Sequence, residues 1–163
     1  MKHAIFFCTP ADLPALEELI DLPALLEETL VHTVAGISGD QIIESLRQNK
    51  MQLWLVAPHR VEPLSIKAIC VTEIRQYPRW KALNVVGLVG DKMSEWQDAM
   101  DESLMHFAKE QKCERIECYV RKGLVRKLAP LGYRQMAVVL GKWIDASSHE
   151  DGLGYRHRTQ AVR

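Results

Sequence analysis

A chain of 163 residues with 21 Lys plus Arg against 21 Asp plus Glu has a formal net charge of zero. That length suits one domain with a sizeable core, and the charge balance excludes a global pull toward nucleic acid or anionic membrane, leaving only local patches. No apolar run approaches the ~20 residues of a membrane span. Cys8, Cys70, Cys113 and Cys118 show no CxxC spacing and no signal peptide precedes them, so they read as reduced, mostly buried thiols of a cytoplasmic protein.

The first strand is expected around the apolar run Ala4 to Cys8. Thr9-Pro10-Ala11-Asp12 is a capping box with Pro at the first helical position. Leucines then recur at helical spacing until Pro23, which splits the segment into two short helices ended by Gly36. Ser38-Gly39-Asp40-Gln41 is a second capping box, opening a helix with Ile42, Ile43 and Leu46 on one face.

From Gln52 the period becomes that of strands. Leu53 to Ala57 and Ser65 to Ile74 are expected to pair as an antiparallel hairpin across a turn at Pro58 to Pro63. Tyr77-Pro78 takes the chain out of the ladder and leads into a strand from Ala82 to Val89. The turn Gly90-Asp91-Lys92-Met93-Ser94 follows, with Asp91 as expected N-cap of a helix from Ser94 to Gln111, whose stripe is Trp96, Met100, Leu104, Phe107 and Ala108. Arg115 to Val120 alternates as a half-covered strand, Leu124 to Leu131 is a short helix capped by Gly132, and a last strand is expected from Tyr133 to Ile144. Residues 1–145 form the expected single domain, and 146–163, polar and basic, a flexible or partner-ordered tail.

This order of elements, with Phe107-Ala108-Lys109-Glu110 through Glu117 and with Leu131-Gly132-Tyr133, resembles the GNAT acyltransferase superfamily. The implied fold class is α/β (α+β), a central mixed, mostly antiparallel sheet flanked by helices. A narrower resemblance, to small GNAT-like proteins of tailed bacteriophages, is carried by Gln52-Leu53-Trp54, Thr72-Glu73-Ile74, Tyr77-Pro78, Trp96, Cys113 and Arg121 to Leu128. Some such phage proteins are virion components that leave with the genome, so the fold alone does not imply catalysis.

The family likeness implies acetyl-CoA as cofactor, with Val85, Val86, Gly87 and Leu88 along the pantetheine arm and Gly90, Lys92 and Met93 at the pyrophosphate. Counting back from Phe107 without gaps places Lys92 at the basic position of the family's loop, but its glycine positions fall on Glu95 and Gln97. The tyrosine that protonates departing CoA in many family members is Leu128 here, and the usual Asn is Arg121. Tyr119 and Tyr133 are the remaining candidate proton donors, against a packing role for each. Glu73 is the candidate base, against an exposed strand-end carboxylate; Glu117, His59 and His106 are weaker candidates.

No His, Cys, Asp or Glu group has metal-site spacing. Arg121, Lys122, Arg126 and Lys127 form a basic turn able to hold phosphate or an acidic partner surface. Two functions stay open. One is an N-acetyltransferase acting on an unidentified amine. The other is a non-catalytic phage protein, in the virion or the host cytoplasm, that contacts a phage or host protein, or nucleic acid through its basic turn or tail.

Overall fold

The computed structural model describes residues 3–30, 36–58, 65–120 and 122–138. Strand β1 (His3–Cys8) is followed by a 3₁₀ turn (Pro10–Asp12) and helices α1 (Leu13–Leu19), α2 (Leu22–Leu30) and α3 (Gly39–Arg47). Both expected capping boxes form. Asp12 Oδ2 accepts from the Thr9 amide at 2.8 Å, and Gln41 Oε1 accepts from the Ser38 amide at 2.9 Å. These side chains satisfy amides that the first helical turn leaves without partners.

Strands β2 (Met51–Pro58), β3 (Ala68–Gln76) and β4 (Lys81–Gly90) form an antiparallel meander. Tyr77 to Trp80 make the tight turn between β3 and β4, closed by the Tyr77 amide donating to the Trp80 carbonyl at 2.8 Å. A 3₁₀ turn (Met93–Glu95) and helix α4 (Gln97–Glu110) cross over to β5 (Arg115–Cys118), and α5 (Lys122–Leu128) ends in a 3₁₀ turn (Ala129–Leu131) capped by left-handed Gly132. The sheet order is β1-β2-β3-β4-β5, with only the β4–β5 pair parallel. This is the mixed, mostly antiparallel sheet expected.

Alternation along each strand sends side chains to two cores. On one face Leu53, Leu55, Ile69, Val71 and Val86 pack against Leu13, Leu22, Leu26 and Ile42 of α1 to α3. On the other, Trp54, Val56, Cys70 and Leu83 meet Trp96, Met100, Leu104 and Ala108 of the α4 segment. Phe7, Trp54 and Phe107 close this second core with ring centroids 4.8 to 5.5 Å apart. Beneath them Trp54 Nε1 donates to Thr72 Oγ1, and Thr72 donates to Gln52 Oε1, each at 3.0 Å, so this buried polar chain is paired.

Several boundaries differ from the sequence reading. Asp91 does not cap α4: a 3₁₀ turn intervenes, and Asp91 acts through its backbone, its carbonyl accepting from Trp96 Nε1 at 2.7 Å. Burial of the Trp96 ring fixes where the helix begins, and Trp96 rather than a polar cap precedes Gln97. Strand β3 starts at Ala68, after Ser65, and β5 ends at Cys118, before Val120. Helix α5 starts earlier than expected, at Lys122. Tyr133 to Val138 form no strand; the rest of that expected strand, the tail, and the turn from His59 to Pro63 lie outside the described residues.

Gly90 is held by packing. A Cβ there would meet the Cβ of Ala68 and stand 2.7 Å from the Lys67 carbonyl oxygen. Gly90→Ala is therefore expected to destabilise the fold by about 1–3 kcal/mol through overpacking, read as a lower urea midpoint at unchanged slope.

Candidate active site between the parting strands

The site arises from a mismatch in strand pairing. On β3, Val71 faces Gly87 and Thr72 faces Val85, so Val86 is an extra residue on β4. Such a bulge bends the strand that carries it and increases its local twist. On its other side β4 pairs with β5 only from Ala82↔Arg115 to Val85↔Cys118. Beyond that point, among the described residues, Val86 to Gly90 have a strand neighbour on one side only. Their backbone groups on the open side need partners from outside the ladder.

A cavity of about 140 Å³ lies where the strands part. Its floor is Val85, Val86, Gly87 and Leu88 of β4; Met93, Trp96 and Met100 wall one side, and Cys118, Tyr119 and Leu124 the other. The lining reaches Thr29 of α2 on the far face of the sheet, so the opening passes between the two faces. Gly87 lets α2 pack this close to β4: a Cβ there would lie 2.6 Å from Thr29 Oγ1.

Five of the seven residues expected along an acyl-CoA chain, Val85, Val86, Gly87, Leu88 and Met93, line this cavity; Gly90 and Lys92 do not. Gly90 is packed on Ala68, as described. Lys92 has a left-handed backbone, φ 48°, and its side chain, 77 % exposed, lies 4.0 Å from Glu95. The basic charge of this turn thus stands outside the cavity.

Both candidate tyrosines line the cavity. Tyr133 donates from its hydroxyl to Asp101 Oδ1 at 2.9 Å. Burial, and then the adjacent Asp101 charge, push its ionisation far above the usual tyrosine range. Its proton is committed to Asp101. Tyr119 is more exposed, and its hydroxyl oxygen accepts a long hydrogen bond of 3.4 Å from Arg75 Nη1, while the guanidinium lies 5.6 Å from its ring centre. The Tyr119 proton keeps its freedom of direction.

Glu73 lies inside β3 rather than at its end and does not line the cavity. It is a paired carboxylate, 25 % exposed, whose Oε1 accepts from Arg75 Nε at 2.7 Å and from Asn84 Nδ2 at 3.1 Å. Through Arg75 it is two hydrogen bonds from Tyr119. Glu117 is likewise paired, with Arg115 at 2.5 Å and the Tyr77 hydroxyl at 2.8 Å. His106 is exposed on α4, 3.3 Å from Glu110, and His59 lies outside the described residues. Lys122, Arg126 and Lys127 are exposed on α5, away from the cavity lining, and Arg121 lies outside the described residues. Among the described residues no group of His, Cys, Asp and Glu could hold a metal ion, and no helix is long and apolar enough to cross a membrane.

The residues that sequence reasoning missed are Asn84, Arg75 and Asp101. Asn is disfavoured inside strands, and a buried Asn84 between hydrophobic neighbours was a signal available in the sequence. Asp101 offered no such signal, because its partner is 32 residues away.

No family model matches the chain, and no curated protein matches it. Solved structures do. An acetyltransferase of Trypanosoma brucei aligns over 87 % of this chain and 99 % of its own, at 15 % identity and TM-score 0.60. Glucosamine-6-phosphate N-acetyltransferase of Arabidopsis thaliana aligns over 89 % and 100 %, at 17 % identity and TM-score 0.59. A predicted acetyltransferase of Clostridium acetobutylicum, solved with acetyl-CoA, aligns over 91 % and 99 %, at 14 % identity and TM-score 0.59. The fold is therefore that of GNAT acetyltransferases, and at these identities the likeness extends to fold alone.

Burial sets the thiol chemistry of the cavity wall. Desolvation, with a smaller contribution from neighbouring Cys118, pushes the Cys70 thiol up to about 12, and burial also raises Cys118. Because the thiolate is the reactive form, Cys70 is expected to resist iodoacetamide in the folded protein through pH 9 and to react only on unfolding. The unfolded chain loses this proton near the ordinary thiol value while the folded chain keeps it. Stability supported by the retained proton is therefore complete below about pH 9 and declines as pH rises toward 12. A denaturation series across that range, compared with Cys70→Ser, checks the sign.

Proposed function

We propose that the protein is an acyl-CoA-dependent N-acyltransferase whose acyl donor enters the cavity between β4 and β5. The observation that carries this reading is the bulge at Val86 followed by the loss of β5 pairing. Together they leave one edge of β4 facing an apolar cavity lined by two tyrosines. The pantetheine arm, an extended chain with amide groups, suits such an edge: it can take up the strand's open backbone groups while its methylenes meet apolar walls. Bound there, an acyl-CoA supplies an activated acyl carbonyl and a thiolate leaving group.

The chain's own residues account for the proton transfers. Amide formation joins the amine nitrogen to the acyl carbon, breaks the carbon–sulfur bond, moves one proton off nitrogen and places one on sulfur. Glu73 receives the first proton through water, since its carboxylate stands back from the cavity. Tyr119 gives the second; Tyr133, whose proton points at Asp101, is better suited to holding α4 against the segment after α5.

A second reading is favoured by the turn after β4. Gly90 is used in packing, Lys92 points away, and Leu128 stands where the family resemblance implies a tyrosine, so the pyrophosphate end lacks the cradle that resemblance implies. On this reading the protein keeps the fold without the chemistry and works as a phage virion or host-contact protein, with Lys122, Arg126 and Lys127 among its contact residues.

Calorimetry with acetyl-CoA and CoA separates the two. Micromolar binding is expected; no heat at millimolar ligand overturns the enzyme reading. Once an acceptor is in hand, Tyr119→Phe is expected to lower kcat by about 10²–10⁴ with KM little changed, as loss of a positioned acid does. An unchanged kcat moves the role elsewhere.

A further inference from the structure

The cavity between β4 and β5 has two ends of different character. Met93, Tyr119 and Leu124 stand at its mouth, each open at least in part to solvent. Cys70, Trp96, Met100, Leu104 and Leu128 line its inner end, and each of these is 8 % exposed or less. The first four belong to the second core, so the inner end is set between the sheet and α4 rather than on the surface. Atoms that line a void lack neighbours on one side and forfeit those contacts. An otherwise packed core thus keeps a space that an apolar group would fill with gain.

The lining offers an occupant little that is polar. The Tyr133 hydroxyl donates to Asp101 and the Trp96 indole N–H to the Asp91 carbonyl, so both donors are already committed. Thr29 likewise donates to the Leu26 carbonyl at 2.7 Å. Among the described residues no buried side-chain nitrogen or oxygen of the lining is left without a partner. The thiols of Cys70 and Cys118 are weak donors and acceptors. Among the described residues Asp101 is the only charged group on the lining, and a second carboxylate brought inside would lose its water and be repelled by it.

We propose that the acyl group carried by the donor is a hydrocarbon chain of about four to six carbons, longer than acetyl, lodged in this inner end. The proposal rests on the acyltransferase reading and names its donor class. Position decides which part of the donor goes in. The nucleotide is large and anionic and stays in water outside the mouth, while the pantetheine arm follows the open edge of β4, so the acyl chain is the part that reaches furthest. Size sets its length. A cavity of roughly 150 Å³ lined by Leu, Ile and Phe admits benzene, a ring of six carbons, and this one, at about 140 Å³, is of that class. Acetyl brings a single methyl group and leaves much of the space empty, whereas a butanoyl or hexanoyl chain meets the walls with apolar surface of its own.

The test is calorimetry on the full chain with CoA and with its acetyl, butanoyl, hexanoyl and succinyl thioesters, no acceptor being present. Each buried methylene contributes about a fourfold gain in affinity, so butanoyl-CoA or hexanoyl-CoA is expected to bind about tenfold or more tightly than acetyl-CoA. Succinyl-CoA, which matches butanoyl-CoA in length but ends in a carboxylate, is expected to bind no more tightly than acetyl-CoA. Cys70→Leu, which fills the inner end from the sheet, is expected to bring the hexanoyl-to-acetyl affinity ratio down to near one. The wild-type series alone decides the matter if that variant fails to fold. Equal binding of the acetyl, butanoyl and hexanoyl thioesters, affinity that falls with chain length, or succinyl-CoA binding as tightly as butanoyl-CoA overturns the proposal. Those results leave the donor site standing, because CoA still binds. Absence of binding by CoA and by every thioester overturns the donor reading, and this inference with it.

Discussion

The constraint on which the rest of this structure depends is a backbone accounting problem at the centre of the sheet. A strand inside a sheet satisfies its N–H and C=O groups on both sides, and β4 does so only as far as Val85. The bulge at Val86 puts two β4 residues opposite one β3 position and diverts the second half of the strand, so β5 cannot follow it. The proposed donor site lies along this divide: apolar walls, an open strand edge, and tyrosines reaching it from the chain after β5. Gly87 sits directly beyond the bulge, where Thr29 approaches too closely for any side chain.

The two cores explain why the divide does not collapse. Leu13, Leu22, Leu26 and Ile42 hold one face of β2 to β4, and Trp96, Met100 and Leu104 hold the other. Trp96, Met100 and Leu104 also line the gap, so closing it would mean moving well-packed helices. The Tyr133–Asp101 hydrogen bond further ties α4 to the segment after α5 on the far rim. The opening is thus framed by rigid elements on three sides, a geometry suited to positioning a reactant.

Much of the fold was legible in the sequence because its signals are local. Thr9 to Asp12 and Ser38 to Gln41 announce helix starts within four residues, and Pro23, in the first turn of α2, marks the break that falls just before it, after Leu19. The meander of β2, β3 and β4 follows from period-2 apolar runs separated by turn residues. What failed was set by distant partners. Asp91 has the chemistry of a cap, but the buried Trp96 indole takes its carbonyl and moves the helix start. Lys92 has the right place in a family pattern and the wrong direction, because its left-handed backbone turns it toward Glu95. A polar row on the sheet face was invisible for the same reason: Asn84, Glu73 and Glu117 become neighbours only through strand register, which the sequence states weakly.

The sheet order follows the chain, each strand beside its predecessor, and this bears on how the molecule assembles. The first three junctions are hairpin-like or bridged by the compact α1 to α3 block, whereas β5 reaches β4 only after the α4 crossover and then pairs along four residues. Short parallel pairing across a long connection forms late and opens early. By hydrogen exchange, amides of β5 are expected to lose protection before those of β2 and β3; equal protection would show that the sheet opens as one unit. On that order of events the molecule finishes folding at its cleft, and a ligand bridging β4 and β5 would act as the last piece of the sheet.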